Sequence, residues 1–395
     1  MSRDRPSRVR WSVRIAVLFA LSVTAAVVAP AIGATRGTGP TAAMGREDEE
    51  AGPRLFAANL FVQMIASEVL ERDGDAVSVG VVDEGGVPFG AVRQRGATEP
   101  PLTPTTPFRI ASISKTVTAA AVLRLVDQGS LALDDRPVPA LLERRGLGCS
   151  MSGISEIRVR DLLAHTSGFD SGREWFFDEV VDDPGELVGR FCARDLRSTP
   201  GGSYRYSNFN YLLLGWLIED LTGMSYAQAV DSSILEPNHL TSFRFRTSSA
   251  RQPGEPGYYV DPGSNYMELL GAAGAWSASS TDLARFARIL VSSEVGRGAL
   301  SPGMWATMKS PARLASGGRV WEYGLGVRLF SGGSWGHTGS IESIKALMIA
   351  FPDGASVAVL IDGEQPERTD DLIDIVSEAW WMTHYVGVVI PIPPT

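Results

Sequence analysis

Residues 109 to 115 read Arg109-Ile110-Ala111-Ser112-Ile113-Ser114-Lys115, and the stretch from Ser112 to Gln128 reads as a helix closed by Gly129. A serine opening such a helix holds its backbone N–H among the unpaired donors at the positive end of the dipole, where an oxyanion is stabilised. Lys115, three residues on, shares a helix face with the Ser112 hydroxyl. Serine is a weak nucleophile at neutral pH and needs a base; a lysine serves when burial and neighbouring positive charge depress its pKa. Taken alone, this spacing also describes a capping serine and a surface lysine, so its meaning depends on the rest of the chain.

Working outward, Tyr206-Ser207-Asn208 precedes a predicted helix over 210–221 that Gly223 ends. In an extended segment residues i and i+2 face the same side, so Tyr206 and Asn208 point together into one cleft. A phenol beside an ammonium shares or loses its proton, and an amide holds a substrate peptide group. The plainer alternative makes Asn208 a helix cap and Tyr206 a packing residue. Further on, His337-Thr338-Gly339 falls on a predicted strand, where Gly339 lets a ligand backbone approach. The adjoining Gly332-Gly333-Ser334-Trp335-Gly336 matches G-x-S-x-G, a pattern that presents a nucleophile only in a strand-turn-helix context. The residues after Gly336 are β-patterned with no helix start, so Ser334 is read as a bystander on a turn. His165-Thr166-Ser167-Gly168, a near-repeat, is read as structural.

Around these motifs the chain divides coarsely. A helix is expected over 55–72, and strands over 76–82 and 87–92 about the turn Glu84-Gly85-Gly86. Helices joined by long loops run to about residue 270. Strand-like runs return at 320–329, 345–351 and 355–361, with Pro352-Asp353-Gly354 turning the last pair, and a helix over 370–381 closes the fold. Strands at both ends with helices between them place the fold in the α+β class: a sheet flanked by helices, built from both ends of the chain (about 55–125 and 270–382), plus an inserted mainly helical domain (about 126–269). A cleft forms naturally where the two parts meet.

A chain of 395 residues with 44% hydrophobic content buries a large core, and a net charge of -9 argues against nucleic acid as a partner. Arg3, Arg5, Arg8, Arg10 and Arg14 precede an apolar run from Ile15 to Ile32, so residues 1–34 read as an export signal, cleaved or kept as a membrane anchor. Residues 35–54 read as a flexible linker and 383–395 as a tail. The body is expected outside the cytoplasmic membrane, attached, if at all, through the N-terminal segment only. In that oxidising compartment a disulfide between Cys149 and Cys192 is permitted, closing a loop of about 43 residues and adding about 4 kcal/mol in the chain-entropy model; two unpaired thiols remain the alternative. His165, His239, His337 and His384 have no metal-ligand spacing, so no metal or cofactor is expected.

Together the three ordered motifs resemble those of the serine β-lactamase and D-alanyl-D-alanine peptidase superfamily, in its class C, low-molecular-weight penicillin-binding and esterase branch. Asp161 to Phe169, Leu213 to Gly223 and Gly274 to Phe286 are similar as well, and the resemblance covers roughly residues 55 to 382. It implies an antiparallel sheet and an acyl-enzyme mechanism. Ser112 is then the nucleophile, and Lys115 and Tyr206 share general-base duty and later protonate the leaving group. Asn208, His337, Thr338 and Gly339 line the substrate site, and the backbone N–H groups of Ser112 and Ser340 form the oxyanion hole. The implied substrate is a small molecule or peptide: a D-alanyl peptide for a D,D-carboxypeptidase, a β-lactam for a class C-type β-lactamase, or an ester for a promiscuous esterase. A non-catalytic binding protein is the remaining alternative. His337 stands where the family usually has lysine, which removes a permanent charge and leaves open which arginine replaces it. A histidine there is expected to be partly charged near pH 6.5, with activity falling as pH rises past about 7.

Overall fold

The computed structural model describes residues 46–71, 74–96, 101–181, 183–248, 250, 255–256, 266–291, 299–316 and 319–384. The expected export signal and most of the linker and tail lie outside these residues. Eight strands form one antiparallel sheet in the order β2-β1-β11-β10-β9-β8-β7-β6. They are β1 (Ala76–Val82), β2 (Pro88–Gln94), β6 (Ala312–Ser316), β7 (Arg319–Tyr323), β8 (Arg328–Leu329), β9 (Trp335–Ile341), β10 (Ile344–Ala350) and β11 (Ser356–Asp362). Both ends of the chain therefore meet in one sheet, β1 pairing with β11 from Ala76↔Asp362 to Val82↔Ser356. A second sheet of three short strands, β3 (Phe108–Arg109), β5 (Trp276–Ala278) and β4 (Arg244–Phe245), leads into the Ser112 turn. This is the α+β fold expected from the sequence.

Strands β1, β10 and β11 are buried along their whole length, which explains their predominantly apolar text, interrupted by Ser78, Lys345, Ser356 and Asp362. Five helices matter below: α1 (Arg46–Glu71), α2 (Ser114–Asp127), α3 (Asn208–Thr222), α4 (Ser280–Val291) and α5 (Thr369–His384). On one face α4 lies so close to β1 that a Cβ on Gly80 would sit 2.2 Å from the Ser280 carbonyl oxygen. On α5, Trp380 stacks on Phe351 and meets Phe61 of α1 edge-on at 5.5 Å. Helix α1 begins at Arg46, inside the stretch expected as linker.

Helices α2 and α3 are buried on nearly every side, α2 from Ser114 to Leu123 and α3 from Asn208 to Gly215, which is why neither shows a clean amphipathic stripe. Helix α2 meets the sheet at the β7–β8 turn. Gly326 there has φ 85, and a Cβ on it would lie 2.3 Å from Ala119 Cβ, while the Thr116 hydroxyl donates to the Gly326 carbonyl at 2.8 Å. Cys149 and Cys192 form a disulfide with Cα atoms 5.3 Å apart, which decides the alternative left open above. Residues Glu50–Thr395 make up one compact unit. Among the described residues no helix is long and apolar enough to cross a membrane, and no cluster of three or more His, Cys, Asp or Glu is placed to hold a metal ion.

Candidate active site

Ser112 sits in a 3-10 turn, Ala111–Ile113, immediately ahead of α2. The turn is strained at Ala111, whose φ of 45 is unusual for a residue with a side chain. Its tightness also depends on the neighbouring strand: a Cβ on Gly339 of β9 would lie 2.3 Å from the Ile110 carbonyl oxygen. The small residue in His337-Thr338-Gly339 therefore serves the packing of β9 on the serine turn, a different use from the expected room for a ligand backbone. That packing brings the backbone of Ser340, the next residue on β9, alongside the turn that carries Ser112.

Three residues after Ser112, at the start of α2, the Lys115 ammonium donates to Ser112 Oγ at 3.2 Å and to the Ala273 carbonyl at 2.8 Å. Lys115 is fully buried. Burial, and after it the positive charge of Arg328, hold its pKa well below the ordinary lysine value. The neutral amine that a base requires is thus favoured by two physical causes.

Tyr206 lies over this pair, with Lys115 Nζ 4.8 Å from its ring centroid. Burial drives its phenol pKa up, and the approach of the Ser112 hydroxyl offsets that only in part, so Tyr206 keeps its proton. The Tyr206 hydroxyl, the Ser207 hydroxyl and the Asn208 side-chain oxygen are all buried without a hydrogen-bond partner at full geometry. Ser207 rather than Asn208 is the residue that caps α3, and it does so without a side-chain bond. The Tyr206 hydroxyl, which the Ser112 hydroxyl approaches, and the Asn208 side-chain oxygen thus keep hydrogen-bonding capacity beside the serine, whereas Ser207 is wholly buried.

Beneath Tyr206 lies His165, whose motif was read as structural. Its ring packs 4.3 Å from that of Tyr206, and its Nδ1 accepts from the Ser207 backbone N–H at 3.2 Å and from Asn210 Nδ2 at 3.1 Å. Burial first, then the Lys115 charge, keep it neutral. It is a support for the Tyr206 segment.

The sheet side differs from expectation at His337. The ring is fully buried, with Nδ1 2.7 Å from the Thr338 carbonyl oxygen and Nε2 3.1 Å from the Tyr323 hydroxyl. A carbonyl only accepts, so Nδ1 carries the proton and Nε2 accepts from Tyr323. Burial, followed by the charge of Arg328, places the His337 pKa well below the ordinary histidine value. The expected partial charge near neutrality is therefore corrected: His337 is a neutral, doubly bonded strand residue. Thr338 is buried too, whereas Ser340 is exposed. Ser334, the decoy of the G-x-S-x-G match, donates its hydroxyl to the Ser331 carbonyl at 3.1 Å on a turn leading into β9.

The standing charge comes from a residue that sequence reading did not single out. Arg328 on β8 pairs in register with Gly336, lies 3.5 Å from Asp370, and is, among the described residues, the cation whose field reaches Lys115, His337, Tyr204 and Tyr206 alike. The signal that would have found it is the strand period: β8 precedes β9 through a short turn, so a charge on β8 flanks the histidine.

A hydroxyl hydrogen-bonded to a buried lysine and faced by a protonated tyrosine, packed against a strand of an antiparallel sheet, is the arrangement of serine acyl-transfer enzymes. The chain matches the family model described as Beta-lactamase over residues 61–377, and it belongs to that family, the β-lactamase and penicillin-binding-protein-fold serine hydrolases. It is 26% identical over 296 residues to Penicillin-binding protein 4* of Bacillus subtilis, spanning 68% of this chain and 63% of that protein. To Protein flp of Staphylococcus aureus it is 32% identical over 154 residues, 37% of this chain and 29% of that protein. The chain thus spans less than two thirds of either relative. Among solved structures it resembles a D-stereospecific amidohydrolase from Streptomyces sp., with TM-score 0.66 and 25% identity over 80% of this chain and 97% of that one. It shares its fold with the octameric penicillin-binding protein homologue from Pyrococcus abyssi, with TM-score 0.68 and 23% identity over 82% of this chain and 77% of that one.

Proposed function

We propose that this chain is an extracytoplasmic hydrolase that forms an acyl-enzyme at Ser112 and cleaves a D-alanyl peptide or a related D-amino-acid amide or ester. The observation that carries the reading is the 3.2 Å hydrogen bond from Lys115 to Ser112 Oγ in a setting that favours the neutral amine. Lys115 takes the hydroxyl proton as Oγ bonds to the substrate carbonyl carbon, and the carbonyl oxygen becomes an oxyanion held by the N–H groups of Ser112 and Ser340. On collapse the leaving amine takes the Tyr206 proton, and the Lys115 ammonium restores it. Water then enters by the reverse route and releases the acid.

Lys115, with its pKa lowered, and Tyr206, with its pKa raised, divide between them the role that the sequence resemblance assigned to both. Environments that push two pKa values apart separate base from acid. Arg328 supplies the charge for a substrate carboxylate, since His337 stays neutral. Likeness to a D-stereospecific amidohydrolase supports a D-configured acyl group. The arginine-rich apolar leader supports export.

Side-by-side turnover of a D-Ala-D-Ala peptide, a D-amino-acid amide, a short-chain ester and a cephalosporin tests the substrate class. The peptide or amide is expected to dominate kcat/KM; faster turnover of the cephalosporin would replace this reading with a β-lactamase, and of the ester with an esterase. Turnover of none of the four would favour a binding protein on the same fold.

A further inference from the structure

The motif His165-Thr166-Ser167-Gly168, read from the sequence as structural, meets the segment of the proton donor at more than one point. His165 follows the short helix Val159–Leu163 with φ 58, a left-handed conformation that a residue with a side chain adopts at a cost. Its carbonyl and its imidazole face the same neighbour. The Arg205 N–H donates to the His165 carbonyl at 2.8 Å, and the Ser207 N–H donates to His165 Nδ1 at 3.2 Å. Ser207 is extended, with φ -142 and ψ 126, and in extended backbone the N–H groups of residues two apart point to one side. One residue thus pairs with both N–H groups that flank Tyr206, as a neighbouring strand would.

The protons of this arrangement are set by a chain of bonds that starts from the backbone. The Phe169 N–H donates to Ser167 Oγ at 3.3 Å, and the Ser167 hydroxyl donates in turn to Asn210 Oδ1 at 2.7 Å. That orients the amide with Nδ2 toward His165, where it donates to Nδ1 at 3.1 Å. Two donors converge on Nδ1, so Nδ1 carries no proton and Nε2 carries it instead. Nε2 has no hydrogen-bond partner among the described residues, and the rings of Tyr323 and Tyr211 lie 5.1 and 5.2 Å from the imidazole. His165, Ser167 and Asn210 are all buried. We infer that His165 is a positioning residue for the reaction: its carbonyl and its imidazole hold residues 205–207 in place and so set the Tyr206 phenol beside the Ser112 hydroxyl. Packing alone does not call for this, since an apolar side chain beneath Tyr206 would fill the space without accepting from Ser207 or Asn210. The inference rests on the reading of Tyr206 as donor to the leaving group. A displaced phenol costs most where the leaving group most needs a proton.

Two esters of N-acetyl-D-alanine test it, the p-nitrophenyl ester with a good leaving group and the benzyl ester with a poor one. In His165→Leu, kcat for the benzyl ester should fall roughly 10- to 100-fold, and much less for the p-nitrophenyl ester, with KM little changed. His165→Asn should recover most of that loss, because its Oδ1 reproduces the Nδ1 acceptor and asparagine tolerates the left-handed conformation, although loss of the ring should lower the melting temperature. In a Tyr206→Phe chain, His165→Leu should add no further loss. Should His165→Leu fail to fold, Asn210→Asp carries the test: the carboxylate draws the imidazole proton to Nδ1, Ser207 loses its acceptor, and the same ester-dependent loss is expected. A loss whose ester pattern departs from that of Tyr206→Phe overturns the inference, and so does an Asn variant no better than the Leu variant, or a loss repeated in full in the Tyr206→Phe chain. If Tyr206→Phe itself slows both esters equally, the donor reading fails, and the double variant alone decides whether His165 places the phenol. Should the native chain turn over neither ester, the hydrolase reading falls and the inference with it.

Discussion

The two walls of the cleft use their polar groups in opposite ways. On the helical wall, Lys115 donates into the nucleophile itself, the Tyr206 hydroxyl lies near that of Ser112, and the Asn208 side-chain oxygen has no partner at full geometry. On the strand wall, both nitrogens of His337 are engaged, and Gly339 is pressed against the Ile110 carbonyl. Unspent hydrogen-bonding capacity is costly in a folded protein and persists where a ligand completes it; saturated capacity fixes backbone position. The helical wall is accordingly the chemical one, and the strand wall is a rigid rail that presents the Ser340 N–H.

The sharpest break of that contrast is Ser112→Ala. It should lower kcat/KM on the order of 10^4-fold or more and abolish labelling by a fluorescent penicillin, with an unchanged melting temperature. A label that survives the substitution, mapped by mass spectrometry, would sink the assignment. Next comes Tyr206→Phe, which keeps the ring over Lys115 and His165 but removes the proton donor. A kcat loss of roughly 10^2 to 10^4-fold is expected, smaller for an ester with a good leaving group, because such a group needs little protonation. Equal losses on good and poor leaving groups would show that the phenol acts otherwise.

How much of this was legible beforehand follows the same division. Ser112, Lys115, Tyr206 and Asn208 were readable because their spacing on a helix and on the segment before a helix maps one-dimensional text onto a shared face. The strands were readable from their apolar runs, and β1 and β11 were found within a residue of their ends. Arg328 escaped because the run over 320–329 was read as one strand, whereas it is two, β7 and β8, and only the second of them pairs with β9 and sets the arginine beside the histidine. The state of His337 escaped for a related reason. Its residue type suggests titration near neutrality, but its burial and its bond to Tyr323, fourteen residues upstream, decide otherwise. The disulfide was only permitted by the sequence, because loop length does not say which way two Cβ atoms point.

A smaller effect probes the field that joins the walls. Removing the cation in Arg328→Gln takes away a charge that holds the Lys115 pKa down, so that pKa should rise. Activity that needs the neutral amine rises with pH through the Lys115 pKa, so the acid limb of the kcat/KM profile should move to higher pH in this variant. An uncharged ester substrate keeps this shift separate from any loss of carboxylate binding. A limb that stays in place would mean that the charge of Arg328 does not reach Lys115.

The smallest effect is expected at the residue that first looked most distinctive. If His337 is a neutral member of a saturated rail, His337→Gln should cost less than about tenfold in kcat/KM and leave the pH profile of the ester reaction in its native position. The pH argument has a definite sign. A histidine with its pKa held well below the ordinary value is already deprotonated across the working range, so it contributes no descending limb above pH 7. The native profile should accordingly climb with loss of the Lys115 proton and show no fall near neutrality. Glutamine can reproduce one of the two side-chain bonds, so some stability should be lost, read as a lower melting temperature, while the Ser340 N–H stays on its strand. A descending limb near pH 6.5 to 7 in the native chain that disappears in His337→Gln would show that the strand wall takes part in the proton chemistry, and the division between a chemical wall and a positional one would have to be given up.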